Sequence, residues 1–342
     1  MADGAEGKGK MNPKAIALIS GGLDGLLAAK AVMEQGIEVE AACFVMSFAS
    51  RDLDFFKQKV REACEDADIP VKMFDISQEF LEVLKRPDHG FGSNLNPCID
   101  CKILMLRRAK GIMEEEGAGF VITGEVLGER PMSQRRETLN MIRKMSMLDG
   151  YLLRPLSARL LEETIPEKEG VVDREALFDI RGRSRKCQFE LAEKYGIKKF
   201  FSPAGGCLLT DPGFSRRLKD LMQAGKMELD DINLLKCGRH FRLDAATKAI
   251  VGRDEKDNAG IIVLKKEGDI LLHLKEKAGP YVLLRGELSS SNIEKAALLC
   301  VSHSKSKNYF SNEKILYWTD DNNKKDILVG AMERAEVEKI RV

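Results

Sequence analysis

The sequence predicts an α/β protein built on a parallel sheet, followed by a smaller α+β domain. Three observations carry this. Apolar strand-like runs alternate with helix-like runs through the first half of the chain. A glycine-rich junction follows the first strand. The character then changes near residue 226 to short strands separated by Gly, Glu and Lys.

Taken in order, Lys14 to Ser20 reads as a buried parallel strand and Leu23 to Gln35 as a helix. Glu38–Ser47 is a strand, Leu53–Ala67 a helix and Val71–Ile76 a strand. Ile103–Glu116 is helical and Gly119–Thr123 is another apolar strand. Arg183–Tyr195 is helical, Lys198–Phe201 a short strand, and Ser215–Ala224 a helix stopped by Gly225. Beyond the boundary, Ile261–Lys265, Ile270–Leu274, Tyr281–Arg285 and Lys314–Thr319 read as strands, and Asn292–Ser302 as a helix. The expected division is a flexible tail (1–12), a first domain (13–226) and a second (227–342).

With 342 residues, 44% hydrophobic and 32% charged, the chain has the composition of a soluble globular protein large enough for two cores. No apolar run approaches the length of a membrane span, and residues 1–12 lack the apolar core of a signal peptide, so a cytoplasmic protein without membrane contact is expected. A net charge of +1 excludes a uniformly basic surface, so any RNA must be gripped by local patches. Eight cysteines in a reducing compartment read as thiols or metal ligands.

The segment AIALISGGLDGLLAAKA places Ser20, Gly21 and Gly22 between a strand and a helix, with Asp24 and Gly25 in the first turn. Glycines let backbone N–H groups close on an anion, and the helix start adds partial positive charge. That describes a phosphate site; a plain strand-to-helix turn is the alternative on local grounds. The Gly-Lys-Ser/Thr of a Walker loop is absent.

The loop resembles the PP-loop, SGGxDS, of the ATP pyrophosphatases, with Gly25 where that pattern has its final serine. Phe120–Asn140, FVITGEVLGERPMSQRRETLN, is similar to the TGxxLGxxxSQTxxN segment of the 4-thiouridine synthetases. Thr123, Gly124, Leu127, Gly128, Ser133, Gln134, Thr138 and Asn140 carry the likeness, and Leu153–Leu156 resembles the family's RPL segment. The resemblance implies an adenine nucleotide alpha hydrolase-like fold. It also implies ATP and Mg²⁺ at Ser20, Gly21, Gly22, Asp24, Gly25, Gly124 and Gln134, and transfer RNA as substrate. Such enzymes adenylate a carbonyl oxygen; here a uridine would be adenylated and thiolated, with the 4-position favoured.

Cys98 and Cys101 form a C-x-x-C before a helix, where thiol pKa values fall. Cys207, in SPAGGCLLTDPGF, is expected on the ligand-binding edge of the sheet. Several PP-loop tRNA thiolases pair a C-x-x-C with a distant third cysteine. The resemblance therefore makes Cys98, Cys101 and Cys207 the sulfur-handling residues, as ligands of a [4Fe-4S] cluster or as persulfide carriers. A cysteine desulfurase or inorganic sulfide would be the donor. Three ligands fall short of structural zinc. Cys187 is the rival ligand, or a core residue beside Phe189; Cys43, Cys64 and Cys300 read as buried, inert thiols.

The C-terminal segments GRHFRL, IVGRDEKDN, LHLKEKAGPYVLLRG and AALLCVSHSKSKN resemble the NFACT RNA-binding domain. The RNA-contact candidates are Arg183, Arg185 and Lys186 in RGRSRK and, in the second domain, Arg239, His240, Arg253 and Lys275. His273 and Lys275 share one strand face. His89 and His303 read as structural hydrogen-bonders. The family's usual THUMP domain has no room here, so tRNA gripping falls to the C-terminal domain; a homodimer is a further expected partner state. A non-catalytic RNA-binding factor on a degenerate PP-loop fold is the second reading, which Gly25 permits. An amide-forming PP-loop ligase is the third, and it has no use for three thiols.

Overall fold

The computed structural model describes residues 13–201, 207–225, 227–304, 312–320 and 322–342. The tail at 1–12, residues 202–206 before Cys207, and residue 226 lie outside the described residues. Two compact units divide between Cys207 and Leu208.

In the first unit, β1 (Lys14–Leu18), β2 (Glu38–Val45), β3 (Val71–Asp75), β4 (Phe120–Thr123) and β5 (Leu152–Leu153) form one sheet in the order β3-β2-β1-β4-β5. Every pairing is parallel. Both faces are covered, so the strands read as continuous apolar runs. Ala15 and Ala17 of β1 face a cluster with Leu26, Leu27 and Val32 of the helix Leu23–Met33. Ile16 faces the other way, among Ile103 and Leu106 of the helix Cys98–Glu115 and Ile142 of the helix Arg136–Met145.

The strand order reverses between β1 and β4, and a crevice opens outside the carboxyl ends of strands at such a point. The glycine loop follows β1, and Gly124 follows β4. The helix Cys98–Glu115 leads into β4 and so begins at that same edge. Topology alone thus gathers both predicted motifs.

The second unit holds a six-stranded antiparallel sheet. Its strands are β6 (Arg239–Arg242), β7 (Lys248–Val251), β8 (Ile270–Leu274), β9 (Val282–Arg285), β10 (Glu313–Trp318) and β11 (Lys325–Val329), in the order β11-β10-β8-β9-β7-β6. The helix Ser290–Ser302 packs its Ala296, Ala297 and Cys300 on one face. The helix Pro212–Gln223 groups with this unit although the sequence places the boundary at 226, because its Asp220 accepts bonds from Arg242 at 2.6 Å and Lys248 at 2.8 Å.

Two expected strands are corrected. Ile261–Lys265 continues no strand: Glu255–Val263 is a helix, started by the Asp254 side chain accepting the Asp257 N–H at 2.9 Å. Only Ile261 of its apolar end is buried. Lys198–Phe201 is extended chain with a single bridge, Phe201 to Gly22.

Candidate active site at the carboxyl edge of the parallel sheet

The loop between β1 and its helix is shaped by its glycines. Gly21 has φ +78°, and a Cβ there would fall 2.6 Å from the Phe201 ring. The Phe201 N–H donates to the Gly21 carbonyl at 2.7 Å, and its ring stacks on Phe56, so the loop is pinned from behind. Gly22 caps the helix without any side-chain hydrogen bond, which leaves the first-turn N–H groups for an anion. A Cβ on Gly124 would fall 2.3–2.5 Å from the Asp24 and Gly25 backbone. Only glycine lets the end of β4 press on this turn.

Asp24 is held by Arg185, whose Nη2 lies 3.4 Å from its carboxylate. Desolvation pushes the Asp24 carboxyl up; the charges of Arg185 and Arg130 oppose it without winning. Glu129, nearby, is raised by its own burial and by the charge of Asp24. Arg185 also covers the Phe189 ring at 5.5 Å. This corrects the expectation that Arg185 reaches out to RNA: its charge turns inward to the loop. Arg183 and Lys186 of the same cluster are exposed, as is the neighbouring Cys187. Cys187 is therefore not core, and Phe189 beside it is 50% exposed.

Gln134 is buried, and it closes the loop after β4. Its Oε1 accepts the Arg130 N–H at 3.0 Å and its carbonyl accepts the Gly128 N–H at 2.8 Å. Its carboxamide oxygen is thus occupied in shaping the pocket wall. Ser20 is exposed at the loop's start. Gly25 has space for a side chain: a Cβ meets the Leu18 carbonyl at 3.4 Å and nothing closer.

Cys98 and Cys101 open the helix that leads into β4. Burial pushes the Cys101 thiol up to about 12, and nearby Cys207, Cys98 and Asp100 push in the same direction against Lys102. Cys207 and Cys98 are therefore both within electrostatic reach of Cys101. Cys98 is itself exposed, yet desolvation by the protein around it still raises its thiol, opposed by Arg130 and Lys102. The expected lowering at the helix start is overturned: burial outweighs the neighbouring cations. Asp100, between the two cysteines, accepts the His89 backbone N–H at 3.0 Å and stands 2.7 Å from His89 Nδ1. His89 is thus a structural partner that fixes the start of this helix.

Sequence reasoning missed Glu125. It is 2% exposed, 2.9 Å from the equally buried Arg154, and bonded by Thr123 at 3.1 Å. Lys102 stands 3.7 Å from its other oxygen. Burial alone would raise Glu125, but Lys102, Arg154 and Thr123 together hold it below the usual range. It ties β4, the cysteine helix and the RPL-like segment together. Nothing in TGEVLG marks it from a surface glutamate.

In the second unit, Arg239 is half-buried. Desolvation, then the charges of Arg253 and Arg341, lower its pKa, which marks a shared basic patch. Arg253 pairs with Asp257, and Lys275 with Asp326 at 3.0 Å. His240 is corrected: it is 2% exposed, its Nε2 lies 2.8 Å from the Cys237 carbonyl, and burial drives its pKa well below 6.5. It is a neutral core histidine that cannot touch RNA. His303 bonds the Leu299 carbonyl and packs on Phe241, a structural role.

This geometry stands beside two family matches. Residues 10–165 match the family model described as thiamine biosynthesis protein (ThiI), and residues 238–341 match the NFACT protein RNA binding domain. A ThiI-like segment is thus followed along the chain by an NFACT-like one. Among relatives, it is 29% identical to a probable tRNA sulfurtransferase of Thermococcus kodakarensis, over 44% of this chain and 39% of that protein. It is 23% identical to the tRNA-specific 2-thiouridylase MnmA of Francisella tularensis subsp. novicida, over 67% of this chain and 64% of that one. The chain thus spans less than two thirds of either relative. A crystal structure of a 4-thiouridine synthetase–RNA complex with bound ATP aligns at 21% identity and a TM-score of 0.38, covering 65% of this chain and 52% of that one.

The first unit fits ATP: an uncapped helix start and a cradle that Gly21 and Gly124 keep open suit a polyphosphate. Asp24 and Glu129 are the carboxylates that would face Mg²⁺ brought in with it. An iron–sulfur cluster fits less well. The donors are of the right chemistry, but among the described residues no three Cys, His, Asp or Glu side chains stand close enough to hold a metal ion. Also among the described residues, no helix is long and apolar enough to cross a membrane.

Proposed function

We propose that the protein is an ATP-dependent tRNA sulfurtransferase that makes a thiouridine. The observation that carries this is Arg130, whose charge acts on both Asp24 in the glycine cradle and Cys98 in the C-x-x-C. This supports reading the glycine loop and the thiols as parts of one site. The family match and the names of the relatives point in the same direction.

In this reading ATP lies with its phosphates on Ser20, Gly21 and Gly22 and the N–H groups of the following helix turn. A uridine carbonyl oxygen attacks the α-phosphorus, and pyrophosphate leaves. The base carbon now carries AMP, a far better leaving group than oxide. The persulfide of a cysteine desulfurase passes its outer sulfur to one of Cys98, Cys101 or Cys207 and leaves as a thiol; the persulfide so formed attacks that carbon through its terminal sulfur, and AMP departs. A neighbouring thiol of the trio then attacks the S–S bond. This releases the thiolated base and leaves a protein disulfide, which an external dithiol reduces with two electrons. The likeness at 120–140 favours the 4-position. Arg183, Lys186, Arg239, Arg253 and Lys275 are the proposed RNA contacts, and the cytosol the site of action.

The test is a reconstituted reaction with tRNA, ATP, Mg²⁺, a dithiol reductant, and cysteine with a cysteine desulfurase as the source of persulfide sulfur. Pyrophosphate release that depends on tRNA, with a 4-thiouridine in the digested product, is the expected result. RNA binding without pyrophosphate release would instead favour the non-catalytic reading.

A further inference from the structure

The sheet of the second unit is covered unequally. Its one face is sealed by the helix Ser290–Ser302. On the other, Ile250, Leu271, Leu283 and Trp318 are covered by Leu234 and Ile261, from the helices Leu229–Leu234 and Glu255–Val263. Past the end of that cover lies a groove of about 500 Å³, inside the range of small-molecule pockets, about 300–1,000 Å³.

Three aromatic rings run along it. His273 stacks on Tyr281 at 4.5 Å, and Tyr281 meets Trp318 edge-on at 6.4 Å. Lys275, Lys277 and Lys324 line the same groove against one carboxylate, Glu276. The Lys324 ammonium lies 4.7 Å over the ring of the buried Trp318, so a cation sits beside the partly exposed Tyr281. Lys275 and Lys277 are engaged with Asp326 at 3.0 Å and Glu313 at 2.6 Å. These are rim pairs of the kind that solvent and phosphate readily exchange. Ile262, 43% exposed, adds an apolar lip.

Aromatic faces beside flexible ammonium groups match one ligand chemistry: unpaired nucleotides, whose bases stack while their phosphates take the cations. A duplex buries its base faces and cannot use the rings. We propose that this groove binds a single-stranded stretch of RNA, with a base stacking against the partly exposed Tyr281, next to the buried Trp318, and Lys275, Lys277 and Lys324 on the phosphates. The proposal rests on the reading above that RNA is the ligand of this unit, and adds the place and the unpaired state.

Trp318 is the single tryptophan of the chain, so its emission reports on this groove alone. The full chain is titrated with a labelled, unstructured oligouridylate and with a duplex RNA of equal length, following label anisotropy and tryptophan emission together. The expected result is emission quenching that tracks the anisotropy for the single strand and is absent for the duplex. Lys275→Glu with Lys324→Glu, both exposed and tolerant of change, weakens single-strand binding at least tenfold. Tyr281→Ala weakens it about 5- to 150-fold, the range for one lost base stack. Three results overturn the proposal. Anisotropy that rises with unmoved emission, and no effect of the lysine reversals, places RNA elsewhere and leaves the RNA reading standing. Equal binding of the duplex removes the stacking claim. No binding of either RNA or of tRNA ends the RNA reading itself, and a protein partner for the groove would then be sought.

Discussion

Gly124 and Gly25 make opposite demands on the same turn. A methyl at Gly124 would collide with the Asp24 backbone at 2.3 Å, and backbone cannot step aside as a side chain can. Gly124→Ala is expected to cost about 1–3 kcal/mol and to abolish ATP binding, read by denaturant unfolding and nucleotide titration. Gly25 has its nearest neighbour at 3.4 Å, so a serine fits. Gly25→Ser should leave the melting temperature unchanged and raise tRNA-dependent pyrophosphate release by roughly tenfold or more, since one added donor to a developing charge is worth up to about 10²–10³. An unchanged rate would mean that the hydroxyl has no task here. At this scale the sequence singles out the glycines and cysteines because their chemistry is unusual at those spacings. The partners of Glu125 and Arg185 were not, since a charged residue that is buried and paired has the same letter as one in solvent.

The cysteine helix is positioned by elements on either side of it: Asp100 to His89, and Lys102 to Glu125 with its Arg154. Glu125→Gln keeps the shape but strands two cations near a buried site. Removing one partner of a buried pair costs about 3–5 kcal/mol, a loss that urea denaturation will show; a change under about 1 kcal/mol would mean that water reaches these groups. The parallel strands of the first unit were readable because strands buried on both faces are written as apolar runs. The second sheet was only half readable. β6, β7 and β11 are four or five residues long and carry Arg or Lys, so no alternation stands out. Ile261-Ile262-Val263 misled for the opposite reason. Three β-branched residues end a helix because the Asp254 cap sets its start, and Val263 is simply left 81% exposed.

Across the whole molecule, buried thiols weaken the fold at alkaline pH. Burial raises Cys43, Cys101 and Cys300 from 9.0 to about 12 and Cys64 to about 11. The folded chain therefore keeps protons that the unfolded chain releases from pH 9 upward. This contribution is complete below pH 9 and is lost as pH climbs toward 12. The urea midpoint is expected to fall steadily above pH 9, and replacing Cys43 and Cys300 by alanine should flatten that fall. The division into two units was legible as a change of composition, but its position was not. Asp220 commits the helix Pro212–Gln223 to the second unit through Arg242 and Lys248, which lie further along the chain.

The account depends on the glycine cradle and the three thiols serving one reaction on tRNA. The most direct measurement is mass spectrometry of tRNA nucleosides from cells lacking the gene and complemented with the unaltered chain or with Cys98→Ala, Cys101→Ala or Cys207→Ala. The account predicts that one thiolated uridine vanishes with the gene, returns with the unaltered chain, and stays absent with each variant. A thiolated nucleoside that persists at full level in the Cys207→Ala cells would contradict it.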